Sequence, residues 1–283
     1  MSMKYDFTTI LNREGTGAIA VSKIPFDNAE IKEGFSKIPM WVADMNYATA
    51  PSVIEAIQNR LAHPVFGYFD IKDAYSESII EWQKTRNGVT DIPKEAIDYE
   101  NGVLGGVSSV LQAFTAPGEA ILLHSPAYIG FIGTITNMGR KIVYSPLKKD
   151  EQGVWRMDYE DMDKKLKENH IHLAIFCSPH NPSGRVWERE EIEAAMEVYR
   201  KNDCIVISDE IWSDLTLGNR QHIPTQTVSE DAKNRTIAMY APTKTFNLAG
   251  LIGSYHIVYN QYLRDRMDKQ TSLSHYNNMN ILY

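Results

Sequence analysis

Leu173-Ala-Ile-Phe-Cys-Ser-Pro-His-Asn-Pro-Ser-Gly184, the stretch from Glu188 to Lys201, and Ile205-Val-Ile-Ser-Asp-Glu-Ile-Trp212 follow one another, and their reading decides the fold. The outer two open on short apolar runs without in-and-out alternation, as expected of strands covered on both faces. Between them Ile192, Ala195, Met196 and Tyr199 recur at helical spacing, with acids early and Arg200-Lys201 late. That is an amphipathic helix whose charges complement its dipole. Strand, helix and strand in this order predict an α/β domain built on a mostly parallel sheet.

Working outward, Ala120 to Leu123, Ile142 to Tyr144 and Ile237 to Met239 read as further strands. Val107 to Phe114, Tyr128 to Met138 and Tyr159 to Lys167 read as further helices. The first fifty residues differ. Ile38-Pro-Met-Trp-Val-Ala-Asp-Met-Asn-Tyr-Ala-Thr-Ala-Pro51 is apolar and rich in turn formers, and it precedes a helix expected over Ser52 to Leu61. The expected division is an N-terminal arm with part of a small domain over 1–50, and a large domain over 51–283. Asp265 to Tyr283 is expected to start as a helix, and its apolar end, Asn280-Ile-Leu-Tyr283, lacks a polar tail. We therefore expect a chain that stops short of a C-terminal small domain.

Composition narrows the function. Among 283 residues, 43% are hydrophobic and 23% charged, which is ordinary for a globular protein. A formal charge of −7 and the absence of any basic run argue against a general nucleic-acid or anionic-membrane binder. The opening residues lack a signal-peptide core and no apolar run reaches transmembrane length, so the expected compartment is the cytoplasm. The two cysteines, Cys177 and Cys204, and the eight histidines show no metal-ligand or disulfide spacing. No metal is expected.

Four features fall just beyond strand ends, where ligands bind in such sheets. Gly102-Val-Leu-Gly-Gly-Val-Ser-Ser109 is a glycine-rich turn entering a helix, suited to an anion or simply to a turn. Asn181, held between two prolines, either donates to a ligand oxygen or caps a turn. Asp209 closes the most apolar strand, where it faces a cationic ring nitrogen or caps a helix. Lys244, in Met239-Tyr-Ala-Pro-Thr-Lys-Thr-Phe-Asn-Leu-Ala-Gly250, is an ordinary solvated lysine or a Schiff-base amine. Each feature has a plain alternative. The ordered set matches the needs of pyridoxal 5′-phosphate (PLP): an anion cradle, a partner for the phenolic oxygen, an acid against the pyridinium and a lysine.

The chain resembles fold-type I PLP enzymes of the class I/II aminotransferase superfamily, and most of all their cystathionine or cysteine-S-conjugate β-lyase branch. The resemblance lies in Met40-Trp-Val-Ala-Asp-Met45, Phe66-Gly-Tyr68, Ser125-Pro-Ala-Tyr128, Pro179-His-Asn-Pro-Ser-Gly184, Ser208-Asp-Glu-Ile-Trp212 and Ala241-Pro-Thr-Lys-Thr-Phe-Asn-Leu-Ala-Gly250. It implies that Lys244 carries the cofactor and moves the substrate α-proton, that Asp209 keeps the pyridinium protonated, and that Asn181 bonds the phenolic oxygen. It further implies that Tyr128 stacks on the ring, that Trp212 lies at the cofactor, and that Gly106 and Val107 offer N–H groups to the phosphate. Tyr68 would reach the phosphate of a neighbouring subunit, making a homodimer part of the site.

Three positions depart from the resemblance. Ile252 stands where many relatives place a phosphate-binding arginine, Trp212 where many have tyrosine, and Asn46 where lyase-type relatives usually have an acid. The arginine that grips the substrate carboxylate in the family belongs to the C-terminal small domain. The expected activity is β-elimination of a thiol from L-cystathionine or a similar cysteine S-conjugate, giving pyruvate and ammonia. The alternatives are an aminotransferase using the same site and, from a different class, a non-catalytic regulatory or binding protein or an inactive fragment.

Overall fold

The computed structural model describes residues 5–25, 30–35, 38–274 and 278–283, so the opening residues 1–4 of the expected arm lie outside the described residues. Strands β1 (Ile97–Glu100), β2 (Ala120–Ser125), β3 (Lys141–Pro146), β6 (Leu173–Cys177), β7 (Ile205–Asp209), β8 (Thr236–Tyr240) and β9 (Ser254–Ile257) form one sheet. A small hairpin, β4 (Lys148–Lys149) and β5 (Trp155–Arg156), stands apart. The sheet order is β1-β9-β8-β7-β6-β2-β3. Neighbours from β8 to β3 run parallel, and β9 is antiparallel to both β8 and β1.

Helices α1 (Ile19–Ser22), α2 (Pro51–Leu61) and α3 (Asp73–Asn87) precede the sheet. Within and after it come α4 (Gly102–Phe114), α5 (Ile129–Asn137), α6 (Tyr159–Glu168), α7 (Arg189–Lys201), α8 (Glu230–Arg235), α9 (Pro242–Thr245) and α10 (Gln261–Ser274). Glu188 and Glu191 form a capping box at the start of α7, satisfying donors that the helix leaves free.

The strand residues alternate between two cores. Ile121, Leu123, Ile175, Ile207 and Ile237 pack on one face against Val107, Val110 and Leu111 of α4, Phe131 and Ile135 of α5, and Leu263 and Met267 of α10. Leu122, Ala174, Phe176 and Val206 pack on the other against Met162 and Leu166 of α6 and Ile192, Met196 and Tyr199 of α7. Covering both faces explains why these strands read as unbroken apolar runs.

The strand order reverses at β2. Its successor β3 lies on one side, and β6 lies on the other. A crevice at the carboxyl ends of strands is expected at such a reversal. Tyr128 follows β2 and Asn181 follows β6, and both line that crevice. Residues 38–50 contain no helix or strand and lie across the segment that carries Lys244. Among the described residues no helix is long and apolar enough to cross a membrane.

Candidate active site

Four parallel strands deliver the candidate residues to one end of the sheet. Asp209 is the last residue of β7, pairs in register with Cys177 of β6, and is 5% exposed. One oxygen of its carboxylate accepts the Ile211 N–H at 3.1 Å, so it closes a turn rather than capping a helix. Burial pushes its pKa up to about 7, the charge of Glu210 adds to the rise, and the Ile211 N–H and Lys244 hold it back.

Lys244 lies four residues past β8, in the one-turn helix α9. Its Nζ donates to the Ala43 carbonyl at 3.0 Å and sits 5.5 Å from the centre of the Trp212 ring. Burial lowers the amine's pKa, while Asp44 and Asp209 pull it upward. The result is a half-buried amine whose free base is more accessible than that of a solvated lysine, as carbonyl chemistry requires.

Tyr128 precedes α5 and meets Phe131 edge-on, with ring centres 5.4 Å apart. Burial raises its phenol pKa, and the charge of Asp209 raises it further, which places the two side chains within electrostatic reach. Asn181 donates its backbone N–H to Cys177 Sγ at 3.4 Å. Asn181 lines a cleft of about 520 Å³ bounded also by Arg185, Trp212, Leu215, Leu217 and Arg220.

Gly106 and Val107, the expected anion cradle, are buried in the second turn of α4, where their N–H groups bond within the helix. The backbone donors a helix leaves free are those of its first turn, here Gly102, Val103 and Leu104. Gly102 has φ of 74°, a left-handed turn conformation that favours glycine. Gly106 serves packing instead: a Cβ there would stand 2.7 Å from Met239 Sδ and 3.2 Å from Glu100 Cγ.

Tyr68 is fully exposed, in a segment without helix or strand. Ile252 is exposed with φ of 53°, unusual for a β-branched residue.

Two sets of residues escaped sequence reasoning. Under Asp209, the fully buried Glu210 accepts from His222 Nε2 and from the Tyr240 hydroxyl, both at 2.6 Å. It also accepts from Ser208 Oγ at 2.8 Å and from the Thr225 N–H at 3.0 Å. Burial alone would raise its pKa, but the charge of His222 and these bonds carry it below the ordinary value. The adjacent Asp209-Glu210 pair was the available signal. Over Lys244, the Asn247 carboxamide accepts from Met45 N–H at 3.0 Å and donates to the Met45 and Tyr47 carbonyls at 3.0 and 3.3 Å. No local pattern signals a contact that spans two hundred residues.

The family model described as aminotransferase class I and II matches residues 36–278. Cystathionine beta-lyase PatB of Bacillus subtilis (strain 168) is 37% identical over 221 residues, covering 78% of this chain and 57% of that protein. Protein MalY of Escherichia coli (strain K12) is 31% identical over 264 residues, covering 92% of this chain and 65% of that protein. The chain therefore spans about three-fifths of the length of these curated relatives. The crystal structure of the PLP-bound C-S lyase from Staphylococcus hominis superimposes with a TM-score of 0.87 at 30% identity, covering 99% of this chain and 69% of that one. The chain belongs to the class I and II aminotransferase family.

Proposed function

We propose that this chain carries the cofactor site of a PLP-dependent carbon–sulfur β-lyase. Its substrate is L-cystathionine or a related cysteine S-conjugate, and its products are a thiol, pyruvate and ammonia. The observation that carries the proposal is the placement of Lys244 and Asp209 at the ends of neighbouring strands, β8 and β7, within electrostatic reach of each other. One is a half-buried amine with a lowered pKa, and the other is a buried carboxyl close enough to influence it. The relatives, among them a cystathionine beta-lyase and a PLP-bound C-S lyase, favour elimination.

The residues fit the cofactor. A carboxyl buried to this degree without a full charge against it is held partly protonated, and a protonated ring nitrogen is a suitable partner for it. Bound there, PLP supplies a carbonyl for the amine and a ring that accepts the electron pair left by a lost Cα proton. Lys244 Nζ would take that proton and pass it to the sulfur as the Cβ–S bond breaks, and water would convert the released aminoacrylate to pyruvate and ammonia. Asp209 holds charge at the ring nitrogen, and Asn181 donates to the phenolic oxygen. Tyr128 and Trp212 bound the ring, and the free N–H groups of Gly102 to Leu104 receive the phosphate. We further assign residues 1–50 to an arm with part of a small domain, and residues 51–283 to the large domain. The active form is a homodimer in the cytoplasm, with Tyr68 of one copy completing the phosphate site of the other.

The test is pyruvate release from L-cystathionine by the PLP-loaded protein with no keto acid present. Release at a steady rate supports the lyase. Turnover that requires and consumes a keto acid contradicts it and selects the aminotransferase reading.

A further inference from the structure

The segment over Lys244 brings charge as well as cover. Ala43 accepts the lysine's hydrogen bond, Asn247 clips Met45 and Tyr47, and Thr49 Oγ1 donates to the Phe246 carbonyl at 2.7 Å. Between the first two anchors stands Asp44. Arg13 grips its carboxylate with both prongs, Nη1 to Oδ1 at 2.8 Å and Nη2 to Oδ2 at 2.6 Å, and Nη1 also reaches Asn46 Oδ1 at 3.2 Å. The Leu11 N–H donates to the Asn46 carbonyl at 2.8 Å, tying the chain before Arg13 to the same strap. The two charged side chains are 20% and 18% exposed, so solvent screens the pair only in part. A two-pronged guanidinium–carboxylate contact fixes direction as well as distance.

We propose that Arg13 and Asp44 are positioning residues for Lys244: their ion pair holds the 43–47 strap over the amine and neutralises most of the negative charge that the strap brings to it. The inference rests on the proposed role of Lys244. The charged groups facing the amine are Asp44 from the strap and Asp209 from β7, with the Trp212 ring beside it and Arg13 behind Asp44. Burial favours the free base, and each bare carboxylate favours the ammonium. Arg13 hydrogen-bonds Asp44 and stays firmly protonated itself. Asp44 alone would keep the amine charged and slow its attack on a carbonyl, whereas Arg13 alone would repel a proton from it. Removing one partner or the other must therefore move the lysine in opposite senses.

The experiment is competitive acetylation of Lys244 across a pH series, read by mass spectrometry on the cofactor-free chain. Asp44→Asn is expected to lower the midpoint and Arg13→Gln to raise it, each by about one pH unit. The double variant should return near the starting value. Arg13→Lys keeps the charge and should leave the midpoint close to wild type, which preserves the test if Arg13→Gln fails to fold. Single-variant shifts in the same direction, or an unmoved midpoint in Asp44→Asn, would overturn the proposal. Acetylation needs no PLP. If PLP cannot be trapped on wild-type Lys244, the cofactor reading fails while the midpoints still report on the ion pair.

Discussion

Asp209 reaches a pKa of about 7 because burial strips water from its charged form and Glu210 stands next to it. The sign of the consequence follows from linkage. The folded chain holds a proton on Asp209 in the range between its ordinary value of 3.8 and about 7, where the unfolded chain has released it. Asp209's own contribution to the stability of the cofactor-free chain should therefore decline as pH rises through that range, by up to a few kcal/mol at about 1.4 kcal/mol per unit. Buried His124 and His180, each with a pKa lowered to about 4, contribute the opposite slope between about 4 and 6.5. Asp209→Asn should therefore make stability climb more steeply with pH over this range in urea melts. PLP should do the same, because a cationic nitrogen beside Asp209 favours the ionised form. An unchanged slope in the asparagine variant would contradict the raised pKa of Asp209.

At the scale of elements, α4 depends on glycine for contact with the sheet. Alanine at Gly106 would press on Met239 Sδ and Glu100 Cγ, both in the buried layer under the helix. Gly106→Ala should cost about 1–3 kcal/mol, as overpacked cores do, read as a lower urea midpoint. A variant as stable as wild type would mean that Met239 yields freely. This helix also shows what sequence could reveal. The helix begins at Gly102 rather than Val107, so the glycine pair lies inside it. Val103 and Leu104 give its first turn no polar signature, and free backbone donors leave no trace in residue type. By contrast, α7 was legible because its apolar spacing, early acids and late bases all agree. Strands β1 and β9 were missed for a physical reason. Each has four residues, and the polar Glu100 and His256 are tolerated inside because they bond to each other at 2.9 Å and Ser109 Oγ also donates to Glu100 at 3.1 Å. Asn181, Asp209 and Lys244 lie at or just beyond the ends of β6, β7 and β8, neighbouring strands that the sheet aligns, and short apolar runs before each made that placement legible.

Across the whole molecule, large apolar side chains lie exposed in the N-terminal region, among them Phe7, Ile10, Met40, Val65 and Phe66, together with Tyr68. Such exposure marks surfaces that bind something, and the proposed second copy of this chain would cover them. A shared site makes a specific prediction. Lys244→Ala chains mixed with Tyr68→Phe chains under exchanging conditions should regain activity, because each mixed dimer holds one site with both residues intact. Random pairing places about a quarter of all sites in that state. No recovery above the separate variants would contradict a site shared in this way.

The central claim is that Lys244 is the amine that holds PLP. The direct measurement is to add PLP to the 283-residue chain, reduce with borohydride, and map the modified peptide by mass spectrometry, with Lys244→Ala as control. The account predicts one stable label on Lys244 and its loss in the control. A label spread over surface lysines, or one that persists in the Lys244→Ala chain, would contradict it.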